Sequence, residues 1–234
     1  WNEWIGPAPM RPFHPTYHPG KWRAWWDFGT GSLGDMGCHI LDPVFGALDL
    51  KYPASVEGSI STYYEEFWKL VEPKNETYPR STIVRFQFPA REGMPEVKLT
   101  WWDGGLMPPR PDELDEGRRM GDSDGGVLFL GDKGTLMCGC YGRSPRLIPE
   151  AKMQAYKQPA QTLERIPGGE GGHEEEWVRA WTGGRRRRDL PTSAVARSFS
   201  YNVVSPRSAP RASGATSVRG RACVRQPSRA HGVW

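Results

Sequence analysis

The sequence of 234 residues predicts an α+β fold, in which a mostly antiparallel open sheet carries helices on one face. Two observations lead to this prediction. After a glycine-rich turn, apolar residues recur every three or four positions from Leu33 to Leu48, which is the spacing of an amphipathic helix. Downstream, several short stretches alternate between apolar and polar residues, which is typical of strands. We therefore expect one helix to lie across a sheet built from the later part of the chain.

The predicted helix starts in the glycine-rich turn. Gly29, Gly31 and Gly34 permit positive φ values and a close backbone approach to a ligand. Ser32 is expected to cap the helix, since a hydroxyl can accept a hydrogen bond from a free N–H group of the first turn. Pro43 removes one backbone donor inside the apolar run, so we expect a kink near that position.

Alternating stretches predict the strands and a second, short helix. In the stretch 96–103, the residues Val97, Leu99 and Trp101 are expected on one face of the sheet, because successive side chains of a strand point to opposite faces. A helix is predicted at 173–181, with its aromatic side packed inward. The predicted strands cover residues 54–64, 81–88 and 96–103, and a predicted hairpin covers 126–140.

Asp35 and His39 are the catalytic candidates. They are four residues apart in the predicted helix, so their side chains lie on one face. In that arrangement the carboxylate can orient the imidazole and stabilise its charged form, which suits a general base. The spacing alone leaves a structural role open, because an acid near the start of a helix is favourable through the helix dipole.

Four further residues are candidates for binding a polyol substrate. Trp102 and Asp103 end a predicted strand, and Arg110 lies in the loop that follows. A carboxylate and a guanidinium bind hydroxyl groups, while an aromatic face stacks on a sugar ring. Asp103 also suits a turn, and Arg110 also suits a surface ion pair. Tyr17 lies in the proline-rich stretch 1–20, where packing of the aromatic ring is the competing role.

Two motifs resemble a known family. They are the tryptophan-rich run WRAWWDF at 22–28 and the segment GDMGCHILD at 34–42. Both resemble the substrate-side domain of the Gfo/Idh/MocA oxidoreductases, the family of glucose-fructose oxidoreductase and inositol dehydrogenase. The likeness extends from residue 1 to about residue 184. It implies the α+β domain that the periodicities also predict.

The resemblance assigns roles by position. It implies that Asp35 and His39 flank the sugar carbon that is oxidised, with His39 as the general base. It also implies that Trp22 and Arg23 approach the nicotinamide end of NAD or NADP. For the latter pair, a surface arginine stacked on a core tryptophan is the competing interpretation.

The function implied by the resemblance is NAD(P)-dependent oxidation of a sugar or cyclitol hydroxyl. The family's Rossmann domain has no counterpart in this sequence, so we expect the chain to be a piece that begins midway through the protein. The resemblance also implies a homo-oligomer formed through the sheet. Two alternatives stay open: an NAD-dependent glycosidase of the same fold, and a non-enzymatic module that binds carbohydrate or nucleic acid.

Charge is distributed unevenly along the chain. The net charge of +4 combines a tail at 185–234, with eleven arginines and one acid, and an acidic remainder. Composition predicts a disordered tail or one read out of frame, whereas a genuine basic tail would favour nucleic acid as a partner. The predicted organisation is an extended proline-rich linker at 1–20, a substrate and dimerisation domain at 21–184, and this tail.

Composition excludes several other classes of protein. No stretch of eighteen apolar residues occurs, so no membrane partner is expected. The spacing of the four cysteines matches neither a structural zinc site nor an easy disulfide, so we predict no metal site and a reducing compartment. A cytoplasmic location is expected, with the periplasm as the alternative if a signal precedes the chain.

Overall fold

The computed structural model describes residues 1–70, 76–162, 167–168, 172–183 and 221–225. The helices within these ranges are α1 (Gly31–Ile40), α2 (Asp42–Leu48), α3 (Glu150–Ala155) and α4 (Gly172–Trp181), with 3₁₀ turns at Lys21–Ala24 and Cys140–Gly142. The strands are β1 (Ser55–Ile60), β2 (Tyr64–Glu66), β3 (Lys69–Leu70), β4 (Thr82–Phe88), β5 (Val97–Trp102), β6 (Gly126–Gly131), β7 (Gly134–Gly139), β8 (Arg146–Ile148) and β9 (Arg221–Arg225).

Seven of the described strands form one sheet in the order β1-β4-β5-β9-β6-β7-β8, and β2 pairs with β3 in a separate hairpin. Neighbouring strands of the large sheet are antiparallel, except that β9 runs parallel to β5. The predicted α+β class with a mostly antiparallel open sheet is confirmed. The predicted strands and the hairpin are also present, because their alternating pattern fits a sheet that is buried mainly on one face.

One face of the sheet carries the main core. In β5, the side chains of Val97, Leu99 and Trp101 are buried and alternate with half-buried ones, as predicted. Helices α1 and α2, with Leu41 between them, cover this face with side chains that are fully shielded from solvent, namely Ile40, Leu41, Val44 and Phe45. Burying each such large apolar side chain stabilises the fold by about 1.5–3 kcal/mol. This packing fixes α1 relative to the sheet.

The helix is interrupted at Leu41, near the position where a kink was predicted. Helix α1 ends at Ile40 and α2 begins at Asp42, so that Pro43 occupies the first turn of a new helix. A proline is tolerated there because N–H groups of the first turn have no helical partner. The prediction that Ser32 caps α1 is wrong. The N-cap position is Thr30, and no side chain makes a capping hydrogen bond there.

The opposite face of the sheet divides into two parts. Under β6, β7 and β8, a second core forms with the segment around 111–120, and its buried members are Leu114, Met120, Leu128, Met137 and Ile148. On β1, β4 and β5 the same face is mostly polar, with Ile83 and Trp102 paired across β4 and β5 as its apolar members. Arg85 of β4 pairs with Glu57 of β1 across the strands, and both are exposed. Thr100 of β5 lies opposite Arg85 in the register.

Helix α4 forms where a helix was predicted, but its aromatic side does not pack inward. Trp177 is 66% exposed and Trp181 is 81% exposed. The two rings stack on each other with their centroids 5.5 Å apart, because residues four apart in a helix are neighbours on its surface. The inward packing expected for this side of the helix is therefore wrong.

The basic tail contributes one described element, strand β9. Its backbone lies between β5 and β6, in the middle of the large sheet. The rest of 185–234, for which disorder or a frame error was predicted, lies outside the described residues. The proposed domain boundaries stay a prediction. Among the helices that the structure describes, none combines the length and the apolar character needed to cross a membrane.

Candidate functional site

The glycine turn brings the 3₁₀ turn Lys21–Ala24 against the start of α1. The Gly29 N–H donates a hydrogen bond to the Trp25 carbonyl at 2.7 Å. A Cβ atom on Gly29 would lie 2.4 Å from the carbonyl oxygen of Arg23, which is closer than non-bonded atoms approach. A glycine is therefore required at this position for the two turns to meet. The close approach sets Arg23 beside the first turns of α1.

Arg23 is held by three contacts. Its Nε donates to the Asp35 carboxylate at 3.0 Å, and its Nη1 donates to the Gly20 carbonyl at 3.2 Å. The guanidinium carbon lies 4.6 Å from the centre of the Trp22 ring, which is a cation–π distance. The Arg23 and Asp35 side chains are 37% and 32% exposed, so this ion pair is reached by solvent. The two cofactor candidates and the acid thus form one group.

His39 lies in the last turn of α1 and is exposed. Asp35 is one turn earlier on the same helix, as the spacing predicts, but no hydrogen bond between the two side chains occurs within the described residues. Instead, the His39 ring meets the Tyr141 ring edge-on, with centroids 5.1 Å apart and an interplanar angle of 60°. The orienting role predicted for Asp35 stays a prediction, and Asp35 is engaged by Arg23.

Tyr141 is a site residue that the sequence analysis missed. It lies in the 3₁₀ turn Cys140–Gly142 with φ 59° and ψ 19°, a left-handed conformation that is uncommon for a residue with a Cβ atom. Its ring also faces the Arg143 guanidinium, 5.0 Å from the ring centre. Burial raises the pKa of the phenol, so the hydroxyl stays protonated at neutral pH. The glycines on either side of Cys140-Tyr141 were the available sequence signal for such a turn.

The turn that carries Tyr141 is anchored on both sides. The Cys140 N–H donates to the Asp122 carboxylate at 2.9 Å, and the Gly139 N–H donates to the Arg143 carbonyl at 2.8 Å. A Cβ atom on Gly139 would overlap the same carboxylate. On the other side, Gly142 lies against the Pro43 ring, since a Cβ atom there would be 3.3 Å from it. These contacts fix the turn against the junction of α1 and α2.

The Asp103 carboxylate is buried next to the end of β5 and bonds residues of β4 and β5. It is 2% exposed, and its oxygens accept hydrogen bonds from the Thr82 N–H, from the Thr82 hydroxyl at 2.8 Å and from the Trp101 indole at 2.8 Å. Burial is the largest influence on this carboxyl and raises its pKa. The indole nitrogen of neighbouring Trp102 is buried and has no hydrogen-bond partner among the described residues. The hydrogen bonds of Asp103 with Thr82 and Trp101 join the start of β4 to the end of β5.

The other two substrate candidates also serve local structure. Arg110 donates to three backbone carbonyls of the following loop, those of Leu114 (3.3 Å), Asp115 (2.7 Å) and Arg118 (2.8 Å). Tyr17 packs in an aromatic cluster with Trp1, Trp25 and Phe28, at centroid distances of 5.8, 4.7 and 5.5 Å. No hydrogen bond, ion pair or ring contact of the described residues joins the four substrate candidates to His39 or Asp35.

Part of the chain matches a known protein family. Residues 1–66 match a family model, that of the Gfo/Idh/MocA C-terminal domain, whose description is "Oxidoreductase family, C-terminal alpha/beta domain". No curated protein matches the chain significantly. The matched part includes the Arg23–Asp35 pair and His39, and it ends before Tyr141. The predicted resemblance is confirmed for residues 1–66, which match the C-terminal domain of the Gfo/Idh/MocA oxidoreductase family.

Proposed function

We propose that the chain is the substrate domain of an NAD(P)-dependent oxidoreductase that acts on a hydroxyl group of a sugar or cyclitol. One observation carries the proposal. Within the part that matches an oxidoreductase family, an exposed histidine ends α1, and an acid held by an arginine lies one turn earlier on the same helix. That combination offers a proton acceptor and a fixed carboxylate at one open surface.

In this proposal His39 takes the proton of the substrate hydroxyl. Imidazole is suited to this role because it exchanges protons near neutral pH. Asp35 orients the imidazole or the substrate hydroxyl and stabilises the positive charge that His39 acquires. Arg23 holds the Asp35 carboxylate in place through its 3.0 Å hydrogen bond.

The group formed by Trp22, Arg23 and Asp35 fits a nicotinamide cofactor in two respects. Two nitrogens of the Arg23 guanidinium are fixed by protein oxygens, and Nη2 has no hydrogen bond within the described residues, so it can donate to an amide or phosphate oxygen. The Trp22 ring lies beside it and is half-buried. NAD or NADP, when bound, supplies the hydride acceptor. A nucleotide-binding domain is expected to hold most of that cofactor.

The substrate candidates Trp102, Asp103, Arg110 and Tyr17 stay expectations. Their described contacts serve the β4–β5 junction, the loop after β5 and the N-terminal aromatic cluster. The proposal therefore depends on α1 and its neighbours, and it leaves the identity of the residues that grip the sugar to experiment.

Replacing the base tests the proposal. In the complete enzyme, His39→Asn is expected to lower turnover at least about a hundredfold, the usual contribution of a general base. Turnover is measured as formation of reduced nicotinamide cofactor with a panel of sugars and cyclitols. His14→Asn is the matched control, because His14 is an exposed histidine of the N-terminal segment whose imidazole accepts a hydrogen bond from the Thr16 N–H and meets the Tyr17 ring edge-on. Equal turnover of His39→Asn and the natural protein would remove His39 from the mechanism.

The same preparation distinguishes the glycosidase alternative. A dehydrogenase accumulates reduced cofactor in proportion to oxidised sugar. Release of a nitrophenol from an aryl glycoside without net formation of reduced cofactor would instead identify a glycosidase. Failure of both assays, with a folded protein, would contradict the proposed function.

A further inference from the structure

Tyr141 adopts a left-handed backbone conformation that a glycine would adopt more easily. Its φ of 59° lies in the left-handed region, where a Cβ atom is disfavoured, and glycines stand at 139 and 142 in the same turn. The turn nevertheless places a large aromatic side chain at this position. Strained positions of this kind persist where the surrounding structure holds them, and they cluster at functional sites.

The Tyr141 ring is not there to fill the core. The side chain is 49% exposed, whereas neighbouring Cys140 is fully buried. Its ring instead contacts two polar side chains: the Arg143 guanidinium lies 5.0 Å from the ring centre, and the centre of the His39 ring lies 5.1 Å from it. The backbone on which it stands is fixed by the Asp122 carboxylate.

His39 has little else to define its orientation. Within the described residues, the contact with Tyr141 is the interaction that the structure gives its imidazole. Asp35 is on the same helix face but is bonded to Arg23. A general base must be held within hydrogen-bond distance of the proton that it accepts. A side chain that rotates freely at the end of a helix does not meet this requirement.

We infer that Tyr141 is a positioning residue, whose ring holds the His39 imidazole in one orientation at the end of α1. The catalytic consequence of this inference rests on the proposed function of His39. The contact itself is a property of the chain, so it is testable without cofactor or substrate. Tyr141 lies far from His39 in the sequence and outside the part that matches the oxidoreductase family.

The first experiment measures the contact by NMR on the full chain. A ring 5.1 Å away shifts the imidazole C–H signals of His39, and these are assigned by their loss in His39→Gln. Tyr141→Leu removes the ring, so the His39 signals are expected to move toward those of an unstructured histidine. Tyr141→Phe keeps the ring and is expected to leave them in place. Signals of His14 and His18 are the internal control.

A second variant guards against misfolding. Tyr141→Gly also removes the ring, and glycine accepts the left-handed conformation without strain, so this variant is expected to fold. It should give the same shift of the His39 signals as Tyr141→Leu. Identical His39 signals in the natural protein, Tyr141→Leu and Tyr141→Gly would overturn the inference.

The catalytic consequence is measured in the complete enzyme. Tyr141→Gly is expected to lower kcat about tenfold or more with KM nearly unchanged, because it disorders the base without removing substrate contacts. Tyr141→Phe should behave like the natural protein. If His39→Asn is inactive while Tyr141→Gly keeps full kcat, the positioning role fails and the proposed function stands. If the NMR shifts appear but His39→Asn is active, the contact stands and the proposed function fails.

Discussion

Two residues on or beside α1, His39 and Arg23, are possible partners for the Asp35 carboxylate. Asp35 is placed by helical spacing to reach His39, yet its described hydrogen bond goes to Arg23. A guanidinium is always charged and has a fixed geometry, so it is a stronger partner for a carboxylate than a neutral imidazole. The pair therefore gives Asp35 a fixed position before any substrate is present.

Asp103 gives a pH prediction at the scale of one residue. Burial raises its pKa above the ordinary value of 3.8, so the folded protein binds the proton more tightly than the unfolded chain does. The stability that this group contributes is fully present below 3.8 and is lost as the pH rises through the folded pKa. Relative to Asp103→Asn, the free energy of unfolding of the natural protein should fall as the pH rises above 3.8. Denaturant titrations at several pH values measure it.

Asp49 provides a control of opposite sign. Its side chain bonds Lys51, and this contact lowers the pKa of the carboxyl. Relative to Asp49→Asn, the natural protein should therefore lose stability as the pH falls through the folded pKa of Asp49. If the two substitutions changed the pH dependence in the same direction, the account of Asp103 would be wrong.

At the scale of elements, the meeting of two turns depends on Gly29. Alanine at this position would put its Cβ 2.4 Å from the Arg23 carbonyl oxygen, so the two turns must separate. We expect Gly29→Ala to lower the free energy of unfolding by about 1–3 kcal/mol, the usual cost of overpacking. The matched control is Gly58→Ala, because nothing lies within 4 Å of a Cβ there. That change should be neutral or stabilise by up to about 1 kcal/mol. Equal losses in both variants would contradict the explanation.

Strand β9 makes the sheet depend on a distant part of the chain. Its residues Arg221–Arg225 pair with β5 on one side and β6 on the other. A proline cannot donate to a ladder of hydrogen bonds and is excluded from central strands. Val224→Pro is therefore expected to cost at least about 1 kcal/mol, or about 2–4 °C in Tm, whereas Val224→Ile should cost little. An unchanged Tm in Val224→Pro would mean that β9 does not stabilise the sheet in solution.

For the whole molecule, the two faces of the sheet differ in what covers them. Side chains of α1 and α2 pack against one face in the main core. The other face is apolar and covered under β6, β7 and β8, and it is mostly polar on β1, β4 and β5, where Ile83 and Trp102 are the apolar exceptions. A homo-oligomer formed through the sheet, which the family resemblance implies, would use this polar part. Glu57 and Arg85 are among the exposed side chains that this part would offer to such a partner.

An oligomer of this kind has a direct test. Thr100 is half-buried on β5 and lies opposite exposed Arg85 on the polar part of the sheet. Thr100→Arg adds a bulky like charge there, so we expect a dimer in solution to dissociate, as sedimentation velocity would show. Glu116→Arg, an exposed position in the loop after β5, is the control and should leave the dimer intact. A monomeric natural protein would contradict the proposed oligomer.

Sequence alone determined the helical run on α1 and α2, the strands β1, β4 and β5, the β6–β7 hairpin and the catalytic candidates on α1. The helical stripe from Leu33 to Leu48, the alternation of β5 and the break at Pro43 follow from local periodicity and from the missing proline N–H. The Gfo/Idh/MocA resemblance rests likewise on a contiguous segment. Such features need no knowledge of distant residues, because neighbours along the chain produce them.

Only the tertiary structure decided which side chains meet. It bonds Asp35 to Arg23, sets Tyr141 beside His39 and buries Asp103 between Thr82 and Trp101. It also leaves the aromatic side of α4 exposed and inserts β9 between β5 and β6. Most of these outcomes depend on residues that are distant in the sequence, such as Tyr141 beside His39 and β9 between β5 and β6. Local patterns carry no information about such contacts, since burial and hydrogen-bond geometry are settled only once the chain has packed.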